Sequence, residues 1–178
     1  MAKLILVGGG ARSGKSAWAE ARILAEGGKP WYVATATAGD GEMERRIRRH
    51  RQARQDRFHT VEAPLLVPEA VAEIPGEDPV LIDCLTLWLT NLLLQDEEGA
   101  EAAMTGRVGA LLEVSRRRSG MVIIVSNEVG LGLVPESSLG RLFRDINGLA
   151  QQQIAAAADE VWFGAMGLVV PMKGAGRV

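Results

Sequence analysis

Residues 9–16 read Gly9-Gly10-Ala11-Arg12-Ser13-Gly14-Lys15-Ser16, directly after the apolar run Leu4-Ile5-Leu6-Val7. The stretch matches G-x-x-x-x-G-K-[ST] in full, the pattern of a loop that leaves a strand and enters a helix. Such a loop points backbone N–H groups and the positive end of a helix at one place, which suits a phosphate. Lys15 would reach the terminal phosphates there, and Ser16 a magnesium ion. A chance glycine-rich turn is the plain alternative. Against it, a strand precedes the motif and Ser16-Ala17-Trp18-Ala19-Glu20-Ala21 continues it as helix formers, which is the context the motif requires. The stretch predicts binding of a nucleoside triphosphate.

Working outward, short apolar runs alternate with longer helical segments, the pattern of an α/β domain with a mainly parallel sheet. The runs predict strands at Lys3–Gly8, Trp31–Ala34, Val80–Asp83, Met121–Ser126 and Glu160–Phe163, with helices over 15–26, 42–55, 85–94, 100–118 and 138–157. Val161-Trp162-Phe163 and Leu168-Val169-Val170, separated by Gly164–Gly167, predict an edge hairpin. Together with the phosphate loop (P-loop), these elements predict a three-layer P-loop nucleotide-binding fold with a mainly parallel central sheet and a C-terminal edge hairpin. Pro75-Gly76-Glu77-Asp78-Pro79 reads as a turn before a strand, so residues 1–178 are expected to form one domain.

Composition narrows the function. The 178 residues are 47% hydrophobic, enough for a substantial core, and the net charge of −2 argues against a surface committed to nucleic acid or an anionic membrane. A single cysteine, Cys84, excludes a disulfide framework; within Val80-Leu81-Ile82-Asp83-Cys84-Leu85 it reads as a buried packing residue in a reducing compartment. The longest apolar stretch, Cys84 to Leu94, is broken by Thr86, Thr90 and Asn91 and is too short for a transmembrane segment. The N-terminal apolar run is shorter than a signal-peptide core. A cytoplasmic protein is the expectation.

Three further groups carry chemistry. Asp83 closes the run Val80-Leu81-Ile82, where a carboxylate at the end of a parallel strand would face the nucleotide and hold magnesium; it could instead cap the helix starting near Leu85. In Glu42–Arg54, helical spacing sets Arg46, His50 and Arg54 on one stripe, an imidazole between two guanidinium groups. Neighbouring positive charge keeps such a ring neutral and nucleophilic, while the guanidinium forks suit a polyphosphate. A solvated basic helix, or a nucleic-acid contact lacking interleaved aromatics, would read similarly. The glycine-punctuated loop Ser126–Glu136 follows a strand, where substrates are handled in α/β sheets; Asn127 and Glu128 are its best-placed polar groups, and an ordinary turn capped at Ser137 or Ser138 is the alternative. His59 reads as a structural strand residue.

The ordered set of these motifs resembles one family. Gly-Gly-Ala-Arg-Ser-Gly-Lys-Ser at 9–16, Tyr32-Val33-Ala34-Thr35, Arg46-Ile47 with His50 and Arg54, Thr90-Asn91-Leu92, Asn127-Glu128-Val129-Gly130 with Val134-Pro135-Glu136, Phe143-Arg144-Asp145 and Ala158-Asp159-Glu160-Val161-Trp162 resemble the bifunctional adenosylcobinamide kinase/adenosylcobinamide-phosphate guanylyltransferases of cobalamin biosynthesis. The resemblance covers nearly the whole chain. It implies phosphorylation of adenosylcobinamide by a nucleoside triphosphate, ATP or GTP. GMP transfer from GTP to adenosylcobinamide phosphate would follow through a histidine–GMP intermediate, which places His50 as the nucleophile. The implied nucleotide contacts are Gly9, Gly10, Ala11, Arg12, Ser13, Gly14, Lys15 and Ser16; Thr35, Ala36 and Thr37; Arg51, Gln52, Ala53 and Arg54; and Glu62 and Asp83. Ser16 and Asp83 are the implied Mg2+ ligands, and a homo-oligomer, a trimer, the implied assembly. Where some members carry a second histidine this chain has Arg49, and where some have Glu it has Asp83. Gln151-Gln152-Gln153 departs from the Asn-Gln pair of many members and is expected to stand apart from the phosphate chemistry. A kinase of another small metabolite and a nucleotide-gated binding module are the competing functions.

Overall fold

The run Leu4-Ile5-Leu6-Val7 is buried along its whole length, although successive side chains of a strand point to opposite faces. Only a sheet covered on both sides meets that condition. The computed structural model describes residues 3–37, 56–97 and 99–174. Seven strands form one sheet: β1 (Leu4–Gly9), β2 (Trp31–Ala34), β3 (His59–Glu62), β4 (Val80–Asp83), β5 (Val122–Val125), β6 (Glu160–Ala165) and β7 (Leu168–Lys173). Their order is β3-β2-β4-β5-β1-β6-β7; β1 to β6 run parallel, and β7 pairs antiparallel with β6. The expected α/β architecture is therefore present, with helices on both faces.

The two faces form separate apolar layers. On one, Leu4, Leu6, Val33, Ile82 and Ile124 pack against helices α2 (Val67–Glu73), α3 (Leu85–Leu93), α4 (Ala100–Arg117) and α5 (Ser138–Ala157). On the other, Ile5, Val7, Leu81 and Ile123 pack against Ala19 and Ile23 of α1 (Lys15–Leu24) and against Tyr32 and Phe58. Each fully buried Leu, Ile or Val contributes about 1.5–3 kcal/mol relative to exposure. That gain on both sides holds the carboxyl ends of β1, β2, β4 and β5 in fixed register.

Two elements depart from the predicted pattern. The strand at His59–Glu62 pairs with β2 at the sheet edge, where all but Val61 is exposed, so it lacks the apolar run that marks the others. Helix α2 is seven residues long; Pro68 sits in its first turn, where a missing N–H costs little, and Val67 and Val71 are driven into the core. The hairpin is tighter than its sequence suggests, since β6 runs through Gly164 and Ala165 and the turn is Met166-Gly167, both at positive φ. The 42–55 helix falls outside the described residues. Among the described residues no helix is long and apolar enough to cross a membrane.

Candidate active site

Register brings the site together. Ala34 lies opposite Asp83, Asp83 opposite Val125, and Val7 opposite Val125, so the segments that follow β2, β4, β5 and β1 emerge side by side. In an open parallel sheet this carboxyl edge is where ligands bind.

The phosphate loop leaves β1 through Gly9, whose φ is 148°, and enters α1 through Gly14, whose φ is 92°. Both angles disfavour a side chain. No side chain caps α1 and its first turn holds no acidic residue, so its leading N–H groups and positive end suit an anion. Lys15 is buried, and its Nζ donates to Gly10 O at 2.9 Å, folding the ammonium back over the loop. Ser16 is half-buried beside it, whereas Ala11 and Arg12 are exposed on the loop's outer side. Ser13 is buried, and its Oγ has no hydrogen-bond partner among the described residues.

The loop is backed by the β6–β7 hairpin. Gly167 N donates to Ser13 O at 3.1 Å, and a side chain on Gly164 would sit 3.0 Å from Ser13 Oγ and 3.3 Å from Lys15 Cβ. A side chain at 164 would therefore crowd the loop from behind. Trp18 of α1 lies 4.8 Å from Trp162 of β6, ring centre to ring centre, which fastens the helix to the same strand.

On the other flank, Asp83 is half-buried at the end of β4, and Tyr32 Oη donates to its Oδ2 at 2.7 Å. Asp83 is not the helix cap: Cys84 is, with its Sγ accepting from Leu87 N at 3.5 Å. Burial, reinforced by the charge of Asp83, pushes the Cys84 thiol up to about 12, so it stays neutral and packs rather than reacts. Thr35 is fully buried; its Oγ1 accepts from Cys84 N at 2.7 Å and donates to Cys84 O at 2.8 Å. Its hydroxyl therefore ties β2 to β4, and its N–H adds a bond to Asp83 O at 3.2 Å. Asn91 Nδ2 donates to Thr35 O and Pro64 O at 2.8 and 2.9 Å. Ala36 is half-buried, Thr37 is exposed, and Glu62 is exposed at the end of β3, opposite Ala34.

The Asn127–Glu128 segment reaches the loop directly, as Glu128 N donates to Gly9 O at 2.9 Å. Ser137 caps α5, accepting from Gly140 N at 3.1 Å. Three contributors are not among the predicted site residues: Tyr32, Thr86 and Gln151. Gln151 and Asn147 sit four apart on the inward stripe of α5 with Ile146, Ala150 and Ile154, so polar residues at core spacing are the signal that could have found them. Gln151 donates its amide to Asn127 O at 3.0 Å, one residue before Glu128, whose N–H meets the phosphate loop. His50, Arg51, Gln52, Ala53 and Arg54 lie outside the described residues, as does Arg46.

Residues 5–172 match the family model for cobinamide kinase/cobinamide phosphate guanyltransferase, called CobU. The chain belongs to this CobU family. It is 41% identical over 181 residues to the bifunctional adenosylcobalamin biosynthesis protein CobU of Escherichia coli (strain K12), covering 96% of this chain and 99% of that one. It is 47% identical over 171 residues to the bifunctional adenosylcobalamin biosynthesis protein CobP of Pseudomonas aeruginosa (PAO1 strain), covering 95% and 96%. As a member of the CobU family the protein is a transferase with a P-loop nucleotide-binding fold. Solved structures with a similar fold include the RadB recombinase (TM-score 0.54, 16% identity, 90% of this chain and 73% of that chain). The flagellar accessory protein FlaH from Methanocaldococcus jannaschii is another (TM-score 0.51, 13% identity, 96% and 78%). At such low identity these likenesses concern the fold alone.

Proposed function

We propose that this protein phosphorylates adenosylcobinamide and then transfers GMP from GTP to adenosylcobinamide phosphate, giving adenosylcobinamide-GDP and pyrophosphate. The observation that carries the reading is the phosphate loop with Lys15 folded over it, at the same carboxyl edge of the sheet as Asp83, in a chain matching the family over residues 5–172. Lys15 and the loop N–H groups hold the phosphates, acting by position and charge, which is most of what phosphoryl transfer asks of a protein. ATP or GTP serves the first step and GTP the second.

In the guanylyl step a ring nitrogen of His50 forms a bond to the α-phosphorus of GTP. The bond from that phosphorus to the oxygen bridging to the β-phosphate breaks, and pyrophosphate leaves. A phosphate oxygen of adenosylcobinamide phosphate then attacks the same phosphorus and frees the imidazole. Arg46 and Arg54, four residues to either side of His50 in the sequence, would neutralise charge on the transferring group. Thr35, Ala36, Thr37, Arg51–Arg54 and Glu62 complete the nucleotide contacts.

Ser16 and Asp83 offer one hydroxyl and one carboxylate, hard oxygen donors of the kind Mg2+ takes when phosphates and water fill its other positions. Bound there, the ion would offset charge on the phosphate oxygens. The protein works in the cytoplasm as a homo-oligomer, a trimer; the exposed apolar side chains of β7, Leu168, Val170 and Met172, support an assembled form.

The test is incubation with GTP labelled at the α-phosphate. The wild type takes up label stable to alkali and lost in acid, and His50→Ala takes up none. Equal labelling of both proteins would refute the assignment.

A further inference from the structure

Asn127 is held on both of its backbone polar groups by side chains rather than by a neighbouring strand. Its N–H donates to Thr86 Oγ1 at 2.8 Å. Its carbonyl accepts from Gln151 Nε2 at 3.0 Å and from Asn147 Nδ2 at 3.3 Å. Gln151 Nε2 also donates to Ser126 Oγ at 2.9 Å. The next residue, Glu128, donates its N–H to Gly9 O of the phosphate loop. A continuous hydrogen-bonded path therefore runs from α5 through the strand end to the loop.

Stability alone does not account for this path. Asn147 is 1% exposed and its Oδ1 has no partner among the described residues, a cost that an apolar side chain of the same shape would remove. Asn147, kept in the core, fixes the Asn127 carbonyl through its Nδ2, and half-buried Gln151 holds the same oxygen. What they place is the base of the Ser126–Glu136 loop, whose far end is tied by Arg141 Nη1 to Pro135 O and Glu136 O at 3.0 and 2.6 Å. Between the two ties the loop presents Leu131 and Leu133 to solvent.

We infer that Gln151 and Asn147 are positioning residues that set the Asn127–Glu128 segment, and the loop after it, for the phosphate-accepting substrate. The inference rests on the transferase reading only in taking that substrate to be cobinamide or its phosphate. A misplacement of about 1 Å in such a segment can lower turnover about 100-fold without any lost contact to the reacting atoms.

The experiment compares wild type, Gln151→Met and Asn147→Leu by acceptor kinetics, nucleotide affinity, thermal unfolding and amide hydrogen exchange at Glu128. Gln151→Met should lower kcat/KM for the acceptor roughly 10- to 100-fold while nucleotide Kd stays within about two-fold, and Glu128 exchange should accelerate. Asn147→Leu should keep or raise the melting temperature and still impair acceptor turnover, a combination that a purely structural role does not produce. Unchanged acceptor kinetics in both variants, or nucleotide affinity falling in step with turnover, overturns the inference. Should the wild type show no cobinamide-dependent turnover while Glu128 exchange accelerates in the variants, the substrate assignment fails and the positioning role stands.

Discussion

Replacing Gly164 with alanine should weaken nucleotide binding without replacing any phosphate ligand. The added Cβ would lie 3.0 Å from Ser13 Oγ and 3.3 Å from Lys15 Cβ. Both contacts are closer than ordinary van der Waals separation, so one partner must yield by a few tenths of an ångström. Gly164 sits within β6, paired with Gly9 of β1 on one side and with Val169 of β7 on the other, whereas Ser13 is in a loop. The loop is the softer element and should take up the displacement, moving Ser13 and Lys15 out of their present places. Overpacking of this kind costs about 1–3 kcal/mol. If the bound state bears that cost, Kd for a non-hydrolysable nucleoside triphosphate rises about 5- to 150-fold, at about 1.4 kcal/mol per decade. Titration calorimetry reads the affinity, and thermal unfolding checks that the sheet survives. An unchanged Kd in a folded variant would refute the view that the hairpin backs the phosphate loop.

Three further outcomes rest on contacts elsewhere in the fold. Arg118 donates to the carbonyls of Val71, Ile74, Pro75 and Asp78 at 2.7–3.0 Å, and Arg118→Met should cost ~3 kcal/mol and lower Tm by roughly 10 °C, measured by calorimetry. The Cys84 thiol, raised to about 12 by burial, should resist alkylation at a pH of about 8 in the folded protein and react at once in denaturant; stoichiometric labelling of the native form would contradict its placement. Burial alone would raise the Glu160 carboxyl, but hydrogen bonds from Lys3, at 2.5 Å, and from Trp162 Nε1, at 2.9 Å, hold it below the ordinary carboxylate range. Because the folded value is depressed, this contribution is complete at neutral pH and is lost as pH falls below about 4.3; Glu160→Gln should flatten the acid limb of a stability–pH profile followed by tryptophan fluorescence.

Residues 9–16 and the apolar runs at 4–7, 31–34, 80–83 and 122–125 are legible because their patterns are local: a strand buried on both faces must be continuously apolar, and a loop that grips phosphate must be glycine-rich. Asp83 is legible as a carboxylate at a strand end, though only the folded chain gives the capping position to Cys84. Edge strand β3 and short α2 escape because neither carries enough residues for a period to stand out, and both are fixed by what they pack against.

The phosphate loop, the apolar strands and the family are determined by sequence alone, since each rests on side-chain types in a fixed order and spacing. Tertiary structure alone decides the rest: that Gly164 backs Ser13 and Lys15, that Thr35 commits its hydroxyl to Cys84, and that Gln151 reaches Asn127. Gln151 and Asn127 are 24 positions apart and Thr35 and Cys84 are 49 apart, and such pairs form only when the sheet order β3-β2-β4-β5-β1-β6-β7 brings their carriers side by side. Chain closure over such distances leaves no local pattern, because the partner that satisfies each polar group is chosen by packing and not by its neighbours in the chain.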